Sequence, residues 1–149
     1  MQNLIQASLE NEWALLQNQF DSYEKHSLLI KLTNIVILSL AFLSHNLSIY
    51  IFCLLLILWA QDAIWKTFQS RIEIRLLQIE SALLNNDDRQ AAHCQAYQFN
   101  SHYQKSRPGS YGLIKEYWQQ AIRPTVLFPH VPLILLLTIY LLFFSPHGI

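Results

Sequence analysis

Apolar and polar positions alternate along the chain in long blocks. Residues 32–61 carry no charged side chain, and residues 124–149 carry none either. Between and before them, 1–31 hold four acids and two bases, and 62–123 hold six acids and eight bases. Together with Leu28, Leu29 and Ile30, the first block becomes an apolar run over 28–60. As one helix it would extend about 50 Å, well beyond a hydrocarbon core of about 30 Å. Ser44-His45-Asn46 interrupts the run, which predicts a hairpin with helices over about 28–43 and 47–65. A single tilted span with an interfacial extension is the alternative. The last block, over 124–144, would make a helix of about 31 Å and predicts a third span. Pro124, Pro129 and Pro132 stand in its first turns, where missing amide donors cost least. The latter two also predict a kink, because proline removes a ladder bond and clashes with the preceding turn.

The polar blocks read as helix too. Leu9, Trp13, Leu16, Phe20 and Tyr23 recur at spacings of four, three, four and three, one apolar stripe leading into the first span. After the second span, Ile64, Phe68, Ile72, Leu76, Ile79 and Leu83 continue at helical spacing. No Gly or Pro occurs before Pro108, so the first punctuation is Asn85-Asn86-Asp87-Asp88, a good capping run for a helix over about 87–105. Arg107-Pro108-Gly109-Ser110 is the clearest turn. Leu113, Ile114, Tyr117, Trp118 and Ile122 follow it as an amphipathic helix suited to a membrane surface. The expected fold is an all-α, helical integral membrane protein. Its parts are an amphipathic helix over 1–27, a transmembrane hairpin over 28–65, a helical segment over 66–123, and a third span with a short tail over 124–149.

Composition sharpens this picture. Of 149 residues, 52% are hydrophobic and 13% charged, about half the charge of an ordinary soluble domain. Ten bases balance ten acids, which argues against an electrostatically driven nucleic-acid binder. Lys25 and Lys31 flank span one, Lys66, Arg71 and Arg75 follow span two, and Lys115 and Arg123 precede span three. The hairpin turn and the tail hold no Lys or Arg, so the expected orientation in a bacterial inner membrane is N-terminus cytoplasmic and C-terminus outside. Trp59, Trp65 and Trp118 fall near the inner interface, with Lys66, Arg71 and Arg75 as candidates for lipid headgroups. Lys31 is expected to snorkel there. The polar first 27 residues lack the layout of a cleavable signal. Cys53 in a span and Cys94 in the polar segment are not expected to pair.

Candidate chemistry is sparse. His93 and His102, nine residues apart, would point to opposite faces of one helix. His45 and His130 lie at different depths, unlike paired haem ligands. No metal-ligand, phosphate-loop or nucleophile motif is present, so no cofactor, metal or enzymatic activity is expected. Asn34 is the most informative polar residue inside a span: an amide in hydrocarbon needs a partner, within the hairpin, in a pore or across an oligomer. Asp62 and Lys66, four apart, suggest an ion pair on one helical face. The absence of charges deep in a span argues against a channel or transporter.

Leu58-Trp59-Ala60-Gln61-Asp62-Ala63-Ile64-Trp65 leaving span two, and residues 27–32 entering span one, resemble small bacterial membrane proteins of the SLATT type. Gln69-Ser70-Arg71 and Arg75 stand where that group has Glu-Arg and a further Arg, shifted by one residue. The resemblance covers about 13–84. It implies paired spans leading into cytoplasmic helices, and a non-enzymatic defence effector that oligomerises and perturbs the membrane. The stripe residues Leu9, Trp13, Leu16, Phe20, Tyr23, Phe68, Ile72 and Leu76 would then form the assembly surface, or pack within the chain. The alternative function is a structural or regulatory subunit bound to a membrane-complex partner.

Overall fold

A computed structural model describes residues 2–84, 96, 97, 104 and 109–144. The described elements are four helices: α1 Gln2–Leu43, α2 Ile49–Leu84, α3 Ser110–Ala121 and α4 Pro124–Phe143. Among the described residues there is no strand. The stretch expected to form a helix over 87–105, with Cys94, His93 and His102, lies mostly outside them. α1, α2 and α4 are each long and apolar enough to cross a membrane.

The hairpin exists, and its turn sits where the polar triplet interrupts the apolar run. His45 adopts φ 53°. The Asn46 N–H donates to the Ala41 carbonyl at 3.0 Å, and the His45 N–H to the Phe42 carbonyl at 3.2 Å. This is the Schellman arrangement, in which one left-handed residue lets the chain satisfy the last helical carbonyls and leave the axis. Glycine usually holds that position; here histidine accepts the left-handed backbone. The chain turns back here, so 28–60 is not one continuous helix.

Neither hairpin helix stops at the edge of its apolar run. α1 has 42 residues and α2 has 36, about 63 and 54 Å. They lie antiparallel, and the expected stripe on α1 meets the stripe on α2. Leu9, Leu16, Ile72, Leu76 and Ile79 are buried together, with Trp13, Phe20, Tyr23 and Leu83 packed around them. This corrects the expected assembly surface: Leu9, Leu16, Ile72 and Leu76 are consumed within the chain. Two antiparallel stripes of matched spacing bury each other at lower entropic cost than a second copy would require. Phe68 departs from the stripe. It is exposed, with the Arg71 guanidinium 5.3 Å from its ring centre, because the inward positions beside it are Thr67 and Gln69.

α2 is the hub. The charge-free half of the bundle is centred on Leu38, Leu55 and Leu137, one from each long helix. Ala63, Ala121 and Val126 make a second small core where α3 and α4 meet α2. The Trp59 Nε1–H donates to the Ala121 carbonyl at 3.3 Å and fastens the end of α3. α4 carries the expected kink: Phe128 is non-helical at φ −90°, ψ 129°, just before Pro129.

Candidate functional site

The inward face of α1 does not end at Tyr23. Ser27, Lys31, Asn34, Leu38 and Ala41 prolong it at spacings of four, four, three, four and three, so a packing stripe of the polar half becomes polar as it enters the apolar half. α2 does the same in reverse, with Leu55 leading to Asp62. Ser27, Asn34, Asp62 and, on α4, His130 are each at most 1% exposed. Lys31 keeps 18% of its side chain accessible.

Asp62 is the centre. Its Oδ1 accepts a hydrogen bond from the Ser27 hydroxyl. Its Oδ2 lies 3.2 Å from His130 Nε2 and 3.8 Å from Lys31 Nζ. All three long helices therefore contribute to one carboxylate. On the far side of the imidazole, Asn34 Nδ2 meets His130 Nδ1. The imidazole therefore bridges the Asn34 side chain and the Asp62 carboxylate, one ring nitrogen to each. Asn34 Oδ1 is buried without a hydrogen-bond partner.

Lys31 shows why α4 bends where it does. Its ammonium donates to the Thr125 carbonyl at 2.7 Å. In an unbroken helix that carbonyl would accept from the amide of residue 129, but residue 129 is proline and has none. Lys31 fills the vacancy. The expectation that Lys31 snorkels outward is thus corrected, since Asp62 and an orphaned carbonyl offer its charge two acceptors inside. Asp62 does not pair with Lys66 either. The Lys66 ammonium instead sits 3.2 Å from Glu24 and 2.7 Å from the Gln69 side-chain oxygen.

These residues share a depth. Lys31 precedes the end of α1 by twelve residues, Asp62 follows the start of α2 by thirteen, and His130 precedes the end of α4 by thirteen. The corresponding distances are about 18–20 Å along the axes. Asn34 is one turn nearer the hairpin.

The polar half of the hairpin is held by ion pairs between helices. Arg75 grips Glu12 with two bonds, Nε to Oε1 at 3.0 Å and Nη2 to Oε2 at 3.1 Å, and both side chains are under a tenth exposed. The Tyr97 amide donates to Glu12 Oε2 at 2.8 Å. Arg71 Nη2 binds Glu116 on α3 at 2.8 Å, and the Trp13 Nε1–H donates to Glu80 at 3.0 Å. Glu24 lies before the apolar run; the Gln69 amide, the largest influence, together with Lys66 holds its carboxyl below the ordinary range, although burial opposes them. The three bases expected to meet lipid headgroups, Lys66, Arg71 and Arg75, are therefore all engaged by acids of this chain. Trp65 lies against Tyr23 and His26, at 5.1 and 5.2 Å between ring centres. Trp118 is 64% exposed and Trp59 is half-buried.

Among the described residues no group of three or more His, Cys, Asp or Glu side chains is placed to hold a metal ion. No protein-family model matches the sequence, and no curated protein or solved structure matches it. Any statement of function therefore has to come from the cluster itself. Position in a span marks Asn34 but not its partner His130, and helical spacing pairs Asp62 with Lys66, whereas the fold brings Asp62 to Lys31. The spacing that carries Tyr23 on to Ser27, Lys31 and Asn34 was the available signal.

Proposed function

We propose that the protein is a non-enzymatic, multi-pass inner-membrane effector whose three spans are latched shut by Asp62, and which perturbs the bilayer when the latch opens and copies assemble. The observation that supports this reading is the convergence of Lys31, Asp62 and His130, from three apolar helices, on one buried point. Ionisable groups inside a span are expensive and mark functional positions. Closed, these groups satisfy one another. Parted, they would require water, and a water-filled path lined by them is what a permeabilising assembly offers. In this reading the effector acts in bacterial defence, as the resemblance to SLATT-type proteins implies, and the positions of Lys and Arg put the N-terminus and residues 62–123 in the cytoplasm.

Because the stripes of α1 and α2 are consumed within the chain, assembly in this reading uses the outward faces of the spans, which stay largely exposed in one copy. Induced expression with a membrane-potential dye tests the proposal. Wild-type protein should depolarise cells as its level rises, and Asp62→Ala, with the latch broken, should do so at lower expression. A healthy, polarised culture for both, with a monomer in nanodiscs, overturns it.

A second reading has its own support. Ile74, Leu77 and Leu84 form an exposed apolar row on the outer face of α2, suited to a partner subunit of a larger membrane complex. Stoichiometric co-purification of another membrane protein, lost in Leu77→Glu, would favour it.

A further inference from the structure

A cavity of about 460 Å³ lies between α2 and α3, within the range of small-molecule sites. Its walls are apolar and aromatic, with Leu56, Trp59 and Ile64 from α2 and Tyr117 and Trp118 from α3. One charged side chain, Lys115, joins them. Lys31, Lys66, Arg71 and Arg75 all sit beside acids, whereas Lys115 has no described ion-pair partner. The outward side of α3 is itself apolar: Tyr111, Ile114, Trp118 and Ile122 are exposed at spacings of three, four and four. Such a helix lies on a bilayer surface with its charges toward the headgroups.

We infer that this cavity binds one anionic phospholipid of the adjacent leaflet, an acyl chain between Trp59 and Trp118 and the headgroup phosphate on Lys115. The occupant comes from the bilayer because the wall on α2 spans the end of its charge-free run, from Leu56 to Ile64, where a lipid chain is the nearest apolar molecule. It is anionic because, among the described residues of the wall, the one charged side chain is the cation Lys115. This inference needs the membrane placement of α2 and α3 but not the effector reading, and it survives if expression proves harmless.

The test uses full-length protein in nanodiscs containing brominated phosphatidylglycerol or brominated phosphatidylcholine at equal mole fraction, with tryptophan fluorescence as readout. The brominated anionic lipid should be preferred about fivefold in half-quenching concentration, the effect of one basic residue at a membrane surface. Lys115→Gln should abolish that preference. Ala60→Phe, on the cavity wall, should remove it by filling the space, and helical circular dichroism confirms that it folds. Lys25→Gln, an exposed base away from the cavity, should change nothing. Equal quenching by the two lipids in the wild type overturns the site. So does a preference retained in Lys115→Gln, or an equal loss in Lys25→Gln, which would mean diffuse surface attraction only. If Ala60→Phe does not fold, the two lysine variants decide.

Discussion

The same two helices carry two buried ionic contacts, and they are built differently. In the polar half, Glu12 and Arg75 meet as a fork, both oxygens on both nitrogens, with one further bond from the Tyr97 amide. In the apolar half, Asp62 stands among Ser27, Lys31 and His130, with no short contact to the lysine. The first is a bidentate contact between one carboxylate and one guanidinium. The second is a hub that joins α1 and α4 through α2, and its outlying members depend on further groups, Lys31 on the Thr125 carbonyl and His130 on Asn34. A pair can be exchanged for another pair. A hub has no single substitute.

That difference sets the largest expected effect. Asp62→Ala should strand an ammonium and an imidazole in apolar surroundings, with a loss of about 3–5 kcal/mol, or roughly 10 °C in Tm for a chain of this size. Thermal unfolding of purified protein in detergent measures it. Adding Lys31→Met should restore only part, because His130 still lacks its acceptor. Full recovery in that double variant would reduce the hub to a simple pair.

Glu12→Ala should also cost about 3–5 kcal/mol, because it removes the carboxylate that grips the buried Arg75 guanidinium with two bonds. Here the joint replacement Glu12→Met with Arg75→Met should recover most of that loss, since neither charge is then left buried without the other. If the double variant is as unstable as the single one, the two halves of the hairpin are not different in kind.

Asn34 acts on the hub at one remove. Asn34→Leu should cost only about 1 kcal/mol, the usual scale of an interhelical bond in apolar surroundings, since the orphaned Oδ1 disappears with the bond. Its signature should be the ring rather than the melting curve. In ¹⁵N spectra the His130 ring resonances should shift, because Nδ1 loses the side chain it meets in the wild type.

The helices and their turn were legible in the sequence because they follow from local facts: two charge-free runs, a polar triplet, three prolines. The stripe of Leu9, Trp13, Leu16, Phe20 and Tyr23 was legible for the same reason. What it packs against was not, since periodicity gives a face and not a neighbour. The hub was hidden more deeply. Lys66 is the nearest base to Asp62 along the chain, and an i,i+4 rule selects it, but both Lys66 and Asp62 lie on the inward side of α2 and look across to α1. Only the antiparallel register, which brings Ser27 and Lys31 opposite Asp62 and Glu24 opposite Lys66, separates the two. His130 required knowing that α4 returns along α2.

The contact at Lys66 gives the smallest effect and the sharpest sign. Glu24 keeps 63% of its side chain accessible, so solvent screens it, and Glu24→Gln should cost less than about 0.5 kcal/mol. Its carboxyl is held below the ordinary range by Gln69 and Lys66. The folded chain therefore binds this proton less readily than the unfolded one, and the contribution is complete above the usual carboxylate range. It should disappear as pH falls through that range toward the lower folded value. Wild type and Glu24→Gln should accordingly differ slightly in Tm at neutral pH and converge in acid. A gap that widens on acidification would mean that Glu24 is held protonated in the fold, and would reverse the roles assigned to Gln69 and Lys66.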